Sequence, residues 1–394
     1  MPWRVSSPMT QRRDFIDDYR RGLYSITALC AHYGISRRVG YKWIQRYEAL
    51  GYDGLVDARR TPQSCPHRTP DAIVQLLRTA RQAHPTWGPR KLIPYLARRH
   101  PGWRWPAPST VGEILKRLGL VAKRRRRPRP GHPGRPTTPM DAPNAVWTAD
   151  FKGQFKTGDG AYCYPLTVVD GYSRYLLACQ ALPGTLLAPT RATFERLFRE
   201  YGLPERIRTD NGVPFATCAL GRLSRLSTWW LRLGVHPELI EPAHPEQNGR
   251  HERFHKTLKG ESTRPAAATR AAQQRRFTRF REEYNTERPH EALGQQPPAA
   301  LYRPSPRPYP RRVPPLAYPA HYEVRLVSAN GGIRWRSGWV NCSHILAGEY
   351  VGFDEVDDGI WAVYFGPMLL GRFHERTRAI IGAHNRNRFR QPRE

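Results

Sequence analysis

The sequence has no apolar run close to the roughly 20 residues needed to cross a bilayer. Its opening residues, MPWRVSSPMTQRRDF, lack the apolar centre of a secretory leader. A membrane-spanning or exported chain is therefore not expected. The six cysteines, Cys30, Cys65, Cys163, Cys179, Cys218 and Cys342, are scattered, and none belongs to a CxxC pair. This argues against a disulfide framework or a cysteine-built zinc module and makes a reducing cytosol the default compartment. Acid is also scarce: 33 Asp and Glu face 64 Lys and Arg, for a formal net charge of +31. Such a surplus repels itself in a compact state and attracts polyanions. Nucleic acid is the natural partner, with an anionic membrane as the weaker alternative. Hydrophobic residues make up 39% of the 394, enough to build cores in several domains.

Two Pro/Arg-rich stretches divide the chain. They are KRRRRPRPGHPGRPTTPMDAP over 123–143 and RPSPRPYPRRVPPLAYP over 303–319. Proline at this density opposes both helix and central strand, and the charge favours extension. The segments so defined are two helical units at 10–60 and 68–122, an α/β core at 144–302, a region of short strands at 320–380 and a basic tail at 381–394. No solenoid-like repeat is present.

In SITALCAHYGISRRVGYKWIQRYEALG, Ser25 can cap a helix running to about Tyr33, Gly34 allows a tight turn, and Ser36 can cap a second helix. The second helix is expected to bury Val39, Trp43 or Ile44, and Tyr47, leaving Arg37, Arg38, Lys42, Gln45 and Arg46 exposed. This is the pattern of a helix-turn-helix whose second helix suits a major groove; an ordinary αα-hairpin with a basic face is the alternative. The unit at 68–122 gives two further helices and a third, expected to be serine-capped, in PSTVGEILKRLG. There Leu115 and Leu118 should face a core while Lys116 and Arg117 stay exposed. The following run, Arg124, Arg125, Arg126 and Arg127, suits tracking of phosphates, which gives affinity without sequence choice.

From Asn144 the periodicity changes. AVWTADFKGQF alternates like a half-buried strand, and AYCYPLTVVD and SRYLLACQAL follow as two more. A helix at about 189–201, the short strand RIRTD, a helix at about 220–233, the strand GVHPELI and the helix RHERFHKTLKGES complete the order βββαβαβα. This is the order of a ribonuclease-H-like fold, in which the first and fourth strands are neighbours and the last helix packs across their ends. Asp150 in the first strand, Asp210 at the end of the fourth and Glu252 early in the last helix would then converge. Carboxylates suit Mg²⁺, a hard ion that prefers oxygen. Two ions about 3.5–4 Å apart can clamp a phosphodiester. Any one of these acids, taken alone, would more simply cap a turn or solvate a surface.

The words around the acids narrow this choice. VWTADFKG, IRTDNGVPF and AHPEQNGRHERFHKTLKGE strongly resemble the three catalytic motifs of insertion-sequence transposases of the DDE retroviral-integrase superfamily. VVDGYSRYLLA and YNTERPHEALGQQPPAALY are similar to that family's second-strand turn and post-catalytic signature. The resemblance covers roughly 145–302, and the N-terminal helical units resemble those such transposases carry. It implies metal-dependent cleavage at element ends and attack of a freed 3′-OH on target DNA. Asp150, Asp210 and Glu252 would be the ligands of two Mg²⁺ or Mn²⁺ ions. Glu252 is preferred to Glu246 because Arg-Phe-His follows it, as in the family. Asp170 corresponds to a non-catalytic turn position. Asn248 and Gly249 would shape the helix start close to DNA. Lys256 and Lys259 are candidate phosphate contacts, and His251 departs from the apolar residue that often precedes the glutamate.

The partners so implied are double-stranded DNA, both element ends and target, a second copy in a dimer or higher oligomer, and possibly a helper ATPase. The place implied is a bacterial cytoplasm, at the nucleoid. Two other readings share these residues: a DNA-binding regulator or assembly factor with an inactive core, and a nuclease without joining. At the C-terminal end, Asn330-Gly331 and Asp358-Gly359 signal hairpins. With Trp335, Trp339 and Trp361 as filling, the expectation there is a small all-β SH3-like barrel.

Overall fold

Serines open the first helices. In this computed structural model Ser7, Ser25 and Ser36 each accept a backbone N–H as N-caps of α1 (Pro8–Arg21), α2 (Ile26–His32) and α3 (Arg37–Leu50). The structure describes residues 7–57, 68–121, 138–241 and 249–383, and the chain divides into two units at Thr69/Pro70. In the first unit Phe15, Ile16, Leu29, Cys30, Trp43, Ile44 and Leu55 form the core. Gly34 takes a positive φ of 62° at the α2–α3 turn, the region glycine tolerates best. Gly40, not Val39, faces this core. A Cβ on Gly40 would lie 2.5 Å from Cys30 Sγ, while Val39 is exposed. The helices approach closely at that point, so the smallest residue takes the inner position.

The second unit begins with three helices, α4 (Asp71–Ala83), α5 (Pro89–Arg99) and α6 (Pro108–Arg117), around Leu77, Trp87, Leu92, Val111 and Leu115. The expected serine cap of α6 is absent. The helix starts two residues earlier at Pro108, whose fixed φ suits a first helical position, with Ala107 rather than Ser109 as its N-cap.

The α/β core of this unit follows the expected order. It comprises β1 (Val146–Phe151), the short β2 (Phe155–Lys156), β3 (Tyr162–Asp170), β4 (Leu176–Leu182), α7 (Leu187–Tyr201), β5 (Arg206–Thr209), α8 (Arg225–Arg232), β6 (His236–Leu239), α9 (Gly249–Ser262), α10 (Arg270–Thr286) and α11 (Pro298–Leu301). β3 pairs antiparallel with β1 on one edge and β4 on the other, and β1, β5 and β6 continue in parallel. Helices α7 and α8 cover one face through Phe194, Leu197, Phe198, Trp229 and Trp230. The opposite face carries α9 and α10 through Phe254, Leu258, Phe277, Phe280 and Tyr284. β1 is therefore buried on both faces over Val146–Ala149 rather than half-buried. Its alternation is real, but the Thr148/Asp150 face lies under α9 instead of meeting water. No helix among the described residues is long and apolar enough to cross a membrane.

Residues 303–319 form no regular element, yet they are pinned along the core. Ser305 N–H donates to Tyr201 O at 2.8 Å, and Arg307 Nη1 to Pro204 O at 2.9 Å. Tyr302 stacks on Tyr175 with centroids 4.3 Å apart.

The C-terminal strands are β7 (Glu323–Leu326), β8 (Gly332–Trp335), β9 (Gly338–Asn341), β10 (Tyr350–Asp357), β11 (Ile360–Phe365), β12 (Met368–His374) and β13 (Ala379–Gly382). They do not form the expected SH3-like barrel. β13-β12-β11-β10-β7 is an open antiparallel sheet, and β8-β9 is a separate two-stranded ribbon. A barrel needs its first and last strands hydrogen-bonded to each other; here β7 and β13 remain edges. The core is closed by packing instead. Ile333, Trp335 and Val340 of the ribbon meet Phe353, Val363 and Phe373 of the sheet, and Leu223 and Leu231 of the α/β core join them. Trp335 and Trp361 are buried, but Trp339 is 60% exposed. Period-two alternation places Trp339 outward because Gly338 and Val340 face inward.

Candidate active site

Parallel pairing of β1 with β5, in the register Ala149 to Thr209, sets the next residues, Asp150 and Asp210, side by side at the ends of the two strands. α9 crosses this edge of the sheet with Glu252 in its first turn. The three acids are close enough that the charges of Asp210 and Glu252 both act on Asp150. Burial first, and then the Asp210 charge, push Asp150 up to about 7. Burial also raises Asp210, against the Gly212 N–H that donates to its Oδ1 at 3.2 Å. Glu252 itself is exposed. Surface depressions along Ala192–Glu200 and around Asp159 and Arg270 include none of the three acids.

A polar layer lies between sheet and helix. In the register of the sheet, Thr148 faces Val169 and Arg208, and Asp150 faces Thr167. His251 and His255, one turn apart on α9, reach down to these residues. His251 places Nδ1 2.9 Å from Thr148 Oγ1 and Nε2 2.7 Å from Thr167 Oγ1. His255 places Nε2 2.8 Å from Thr167 Oγ1 and Nδ1 3.7 Å from Asp150 Oδ2. Burial holds both imidazoles neutral, His251 at about 3 and His255 at about 2. Beside them Arg208, 2% exposed, donates Nε to Glu238 Oε1 at 2.8 Å. Asp150, His251 and His255 bring oxygen and nitrogen donors within 4.8 Å of one another.

This donor set fits a divalent cation. Carboxylates pressed together and partly buried repel one another and favour the proton, which a bound cation would displace. Lys152, two residues beyond Asp150, has its value lowered by burial and then by the charge of Lys259, with Arg264 adding to it. Cationic side chains thus flank the acids, as a polyanionic substrate would require.

The remaining candidates are distributed as follows. Arg37, Arg38 and Lys42 are exposed along α3, whereas Arg46 is half-buried, with Nη2 donating to Val56 O at 2.7 Å. Lys116 and Arg117 are exposed on α6, and Lys256 and Lys259 on α9. Arg124, Arg125, Arg126, Arg127, Glu246 and Asn248 lie outside the described residues. Asp170 is fully buried as the last residue of β3, just before the turn, its carboxylate accepting from Asn144 N–H and from Ser173 N–H and Oγ–H.

Sequence reasoning left the 284–302 signature without a role. The structure makes it the seat of the second helical module. Glu287 O accepts from Arg98 Nη2 at 2.7 Å and Glu291 meets Arg90 at 3.2 Å, while Glu283, just before the signature, meets His84 Nδ1 at 2.8 Å. Arg288 lies over Trp87 and bonds Glu261 of α9 at 2.7 Å. The sequence also gave no role to Thr148, Lys152 or Thr167, although Thr148 and Asp150 alternate with Trp147 and Ala149.

Comparison with known proteins agrees with this architecture. Integrase core domain families match residues 140–245 and 233–298. A helix-turn-helix domain family matches 11–62, and a homeodomain-like domain family matches 39–115. A 31.7 kDa protein of insertion element IS407 from Burkholderia multivorans, described as uncharacterized, is 30% identical over 180 residues, 45% of this chain and 58% of that protein. A 39.2 kDa protein of insertion element IS476 from Xanthomonas euvesicatoria, also described as uncharacterized, is 30% identical over 45% of this chain and 50% of its own length. The match thus spans between half and three-fifths of the length of these relatives. The HTLV-2 integrase catalytic core domain, solved in complex with magnesium, superposes with a TM-score of 0.33 at 14% identity, covering 41% of this chain and 98% of its own. Integrase core domain families thus match 140–298 in two overlapping segments, behind helix-turn-helix matches over 11–115, and over these segments the chain is similar to integrases and insertion-element proteins.

Proposed function

We propose that this protein is a DNA transposase that binds the terminal inverted repeats of a mobile element and carries out metal-dependent cleavage and strand transfer. Asp150, Asp210 and Glu252 are the metal ligands in this reading. The observation that carries it is the side-by-side ending of β1 and β5 beneath α9, with Asp150 lifted by burial and by the neighbouring charge. Two Mg²⁺ or Mn²⁺ ions held there would supply the Lewis acid and the activated oxygen nucleophile of phosphodiester chemistry. The chain itself contributes orientation. The polar layer under α9 fixes the helix that carries Glu252, and Lys152 and Lys259 offer charge to a phosphate backbone.

The exposed cations of α3 and α6 suit double-stranded DNA, read in a major groove by α3 and held by phosphate contacts elsewhere. The unit at 10–60 would recognise the element ends, and 144–302 would form the catalytic core. Joining two ends at one target requires at least two copies on DNA, and in this reading the protein acts at a bacterial nucleoid. The test is strand transfer of end-bearing DNA into a plasmid, with Mn²⁺ or Mg²⁺. Asp210→Ala and Glu252→Ala should abolish the joined product while leaving end binding intact. Full joining by Asp210→Ala would refute the assignment. Cleavage without joining by the unaltered protein would identify a nuclease instead.

A further inference from the structure

We propose that His255 is a nitrogen ligand of the divalent ion held by Asp150, so that the site is a mixed carboxylate–imidazole centre rather than one of carboxylates alone. The proposal rests on the reading of Asp150 as a metal ligand and adds the donor set around it.

The argument is a proton inventory. Thr167 Oγ1 has one hydrogen and two lone pairs. It donates to Asp150 O at 2.9 Å and has imidazole nitrogens at 2.7 and 2.8 Å. With its hydrogen given to the carbonyl, it accepts from Nε2–H of both His251 and His255. The Nδ1 of His251 pairs with the Thr148 hydroxyl at 2.9 Å, which also lies 3.2 Å from Val169 O; whichever of the two takes the Thr148 hydrogen, His251 has a protein partner on each nitrogen and the His255 Nε2–H still points to Thr167. Both nitrogens of His251 are thereby used within the protein. His255 is left with Nδ1 as a lone pair, and that atom faces Asp150 Oδ2 at 3.7 Å. The separation is too long for a hydrogen bond. It does suit two donors on one ion: at about 2.1 Å from the metal, donors 3.7 Å apart subtend an angle of about 120° at it.

The arrangement is also pre-set in the way ligating histidines are. A metal-bound imidazole usually gives its other N–H to a fixed acceptor, which settles tautomer and ring orientation. Thr167 supplies that acceptor, and its hydroxyl bonds in turn to the backbone of the residue that carries the carboxylate. An imidazole donor favours later first-row ions, whereas carboxylates alone suit magnesium and manganese. His255 should therefore raise affinity for Mn²⁺ and Co²⁺ more than for Mg²⁺.

The test is pulsed EPR of the full chain loaded with Mn²⁺, which reads nitrogen bound directly to the ion. The unaltered protein should show a directly coordinated ¹⁴N, and labelling with ¹⁵N-histidine should convert that coupling to the ¹⁵N pattern without any substitution. His255→Asn should lose the histidine signal and weaken Mn²⁺ binding by about tenfold or more, at least what loss of an outer partner costs. Mg²⁺ binding should weaken less. His251→Gln should keep the signal. Bound Mn²⁺ with no histidine nitrogen, or a signal that survives in His255→Asn or vanishes in His251→Gln, overturns the assignment. Asp150→Asn separates the two readings. If it binds Mn²⁺ as tightly as the unaltered protein, the carboxylate reading itself fails. If it loses the ion while the unaltered site shows no nitrogen, only the His255 ligand is wrong.

Discussion

Removing the charge of Asp150 should stabilise the protein when metal is absent. The folded value of this carboxyl is raised from 3.8 to about 7, and its side chain is only 17% exposed. Because that value lies above the unfolded one, folding takes up a proton between pH ~4 and ~7. Stability from this group is therefore fully present below pH ~4 and is lost as pH rises through ~7. At pH 8 the ionised carboxylate works against the fold by up to on the order of 4 kcal/mol. Water at the open rim screens part of this, so Asp150→Asn should gain about 1–4 kcal/mol in EDTA at pH 8. The gain should disappear near pH 4, where the native acid is already neutral.

Metal should reverse the ranking. A ligand that binds only the folded state adds about 2.7 kcal/mol at a hundred times its dissociation constant. Mn²⁺ should therefore stabilise the unaltered protein and leave Asp150→Asn nearly unmoved. The assay is urea unfolding followed by tryptophan fluorescence, at pH 4 and 8, with EDTA or Mn²⁺. An Asp150→Asn protein no more stable than its parent in EDTA at pH 8 would refute the reasoning, as would a gain of the same size at both pH values. Either result would mean that Asp150 is solvated in the metal-free fold.

Two further predictions test other parts of the chain. Trp335→Ala should cost about 3–5 kcal/mol by opening a cavity between ribbon and sheet. Trp339→Ala, with its ring 60% exposed, should change stability by no more than about 0.5 kcal/mol in the same denaturation assay. On α6, Lys116→Ala or Arg117→Ala should weaken DNA binding for every sequence and lower the slope of log affinity against log salt by about one, whereas on α3 Arg38→Ala or Lys42→Ala should weaken binding to element ends more than to unrelated DNA. Arg46→Ala should instead lower the thermal stability of the first unit, because its guanidinium is tied to Val56 O and lies over Trp43.

The side-by-side ending of β1 and β5 was legible because it depends on strand order, which hydrophobic patterning records. Once β1 and β5 are neighbours, Asp150 and Asp210 have no other place to be. Closure of the C-terminal sheet was not legible. It depends on whether β7 and β13 find each other, a pairing between residues far apart that composition does not encode. Hairpin signals and tryptophans gave the strands and half of the core, but not the edge. Trp339 misled for another reason: size suggested burial, although alternation with Val340 already turned it outward. Val39 misled in a third way. Its apolar character favoured the core, but the close approach of α2 and α3 admitted only Gly40 there.

His251 read in the sequence as a polar intruder at an apolar position of α9, and only the sheet register explains it. The two residues beneath it are Thr148 and Thr167, so an apolar side chain there would take one hydrogen-bond partner from each buried hydroxyl, which keep Val169 O and Asp150 O respectively. The same helix is held by Phe254 and Leu258 in the apolar core and by Glu261, which Arg288 and Thr86 both engage. Glu252 is exposed and could not fix its own direction by packing. It takes its position from a helix fastened on its inner face and at its far end. The polar contacts of α9 would thus let an exposed carboxylate keep a fixed place in the proposed site. Through Arg288, the Tyr284–Tyr302 segment secures the far end of that helix at Glu261.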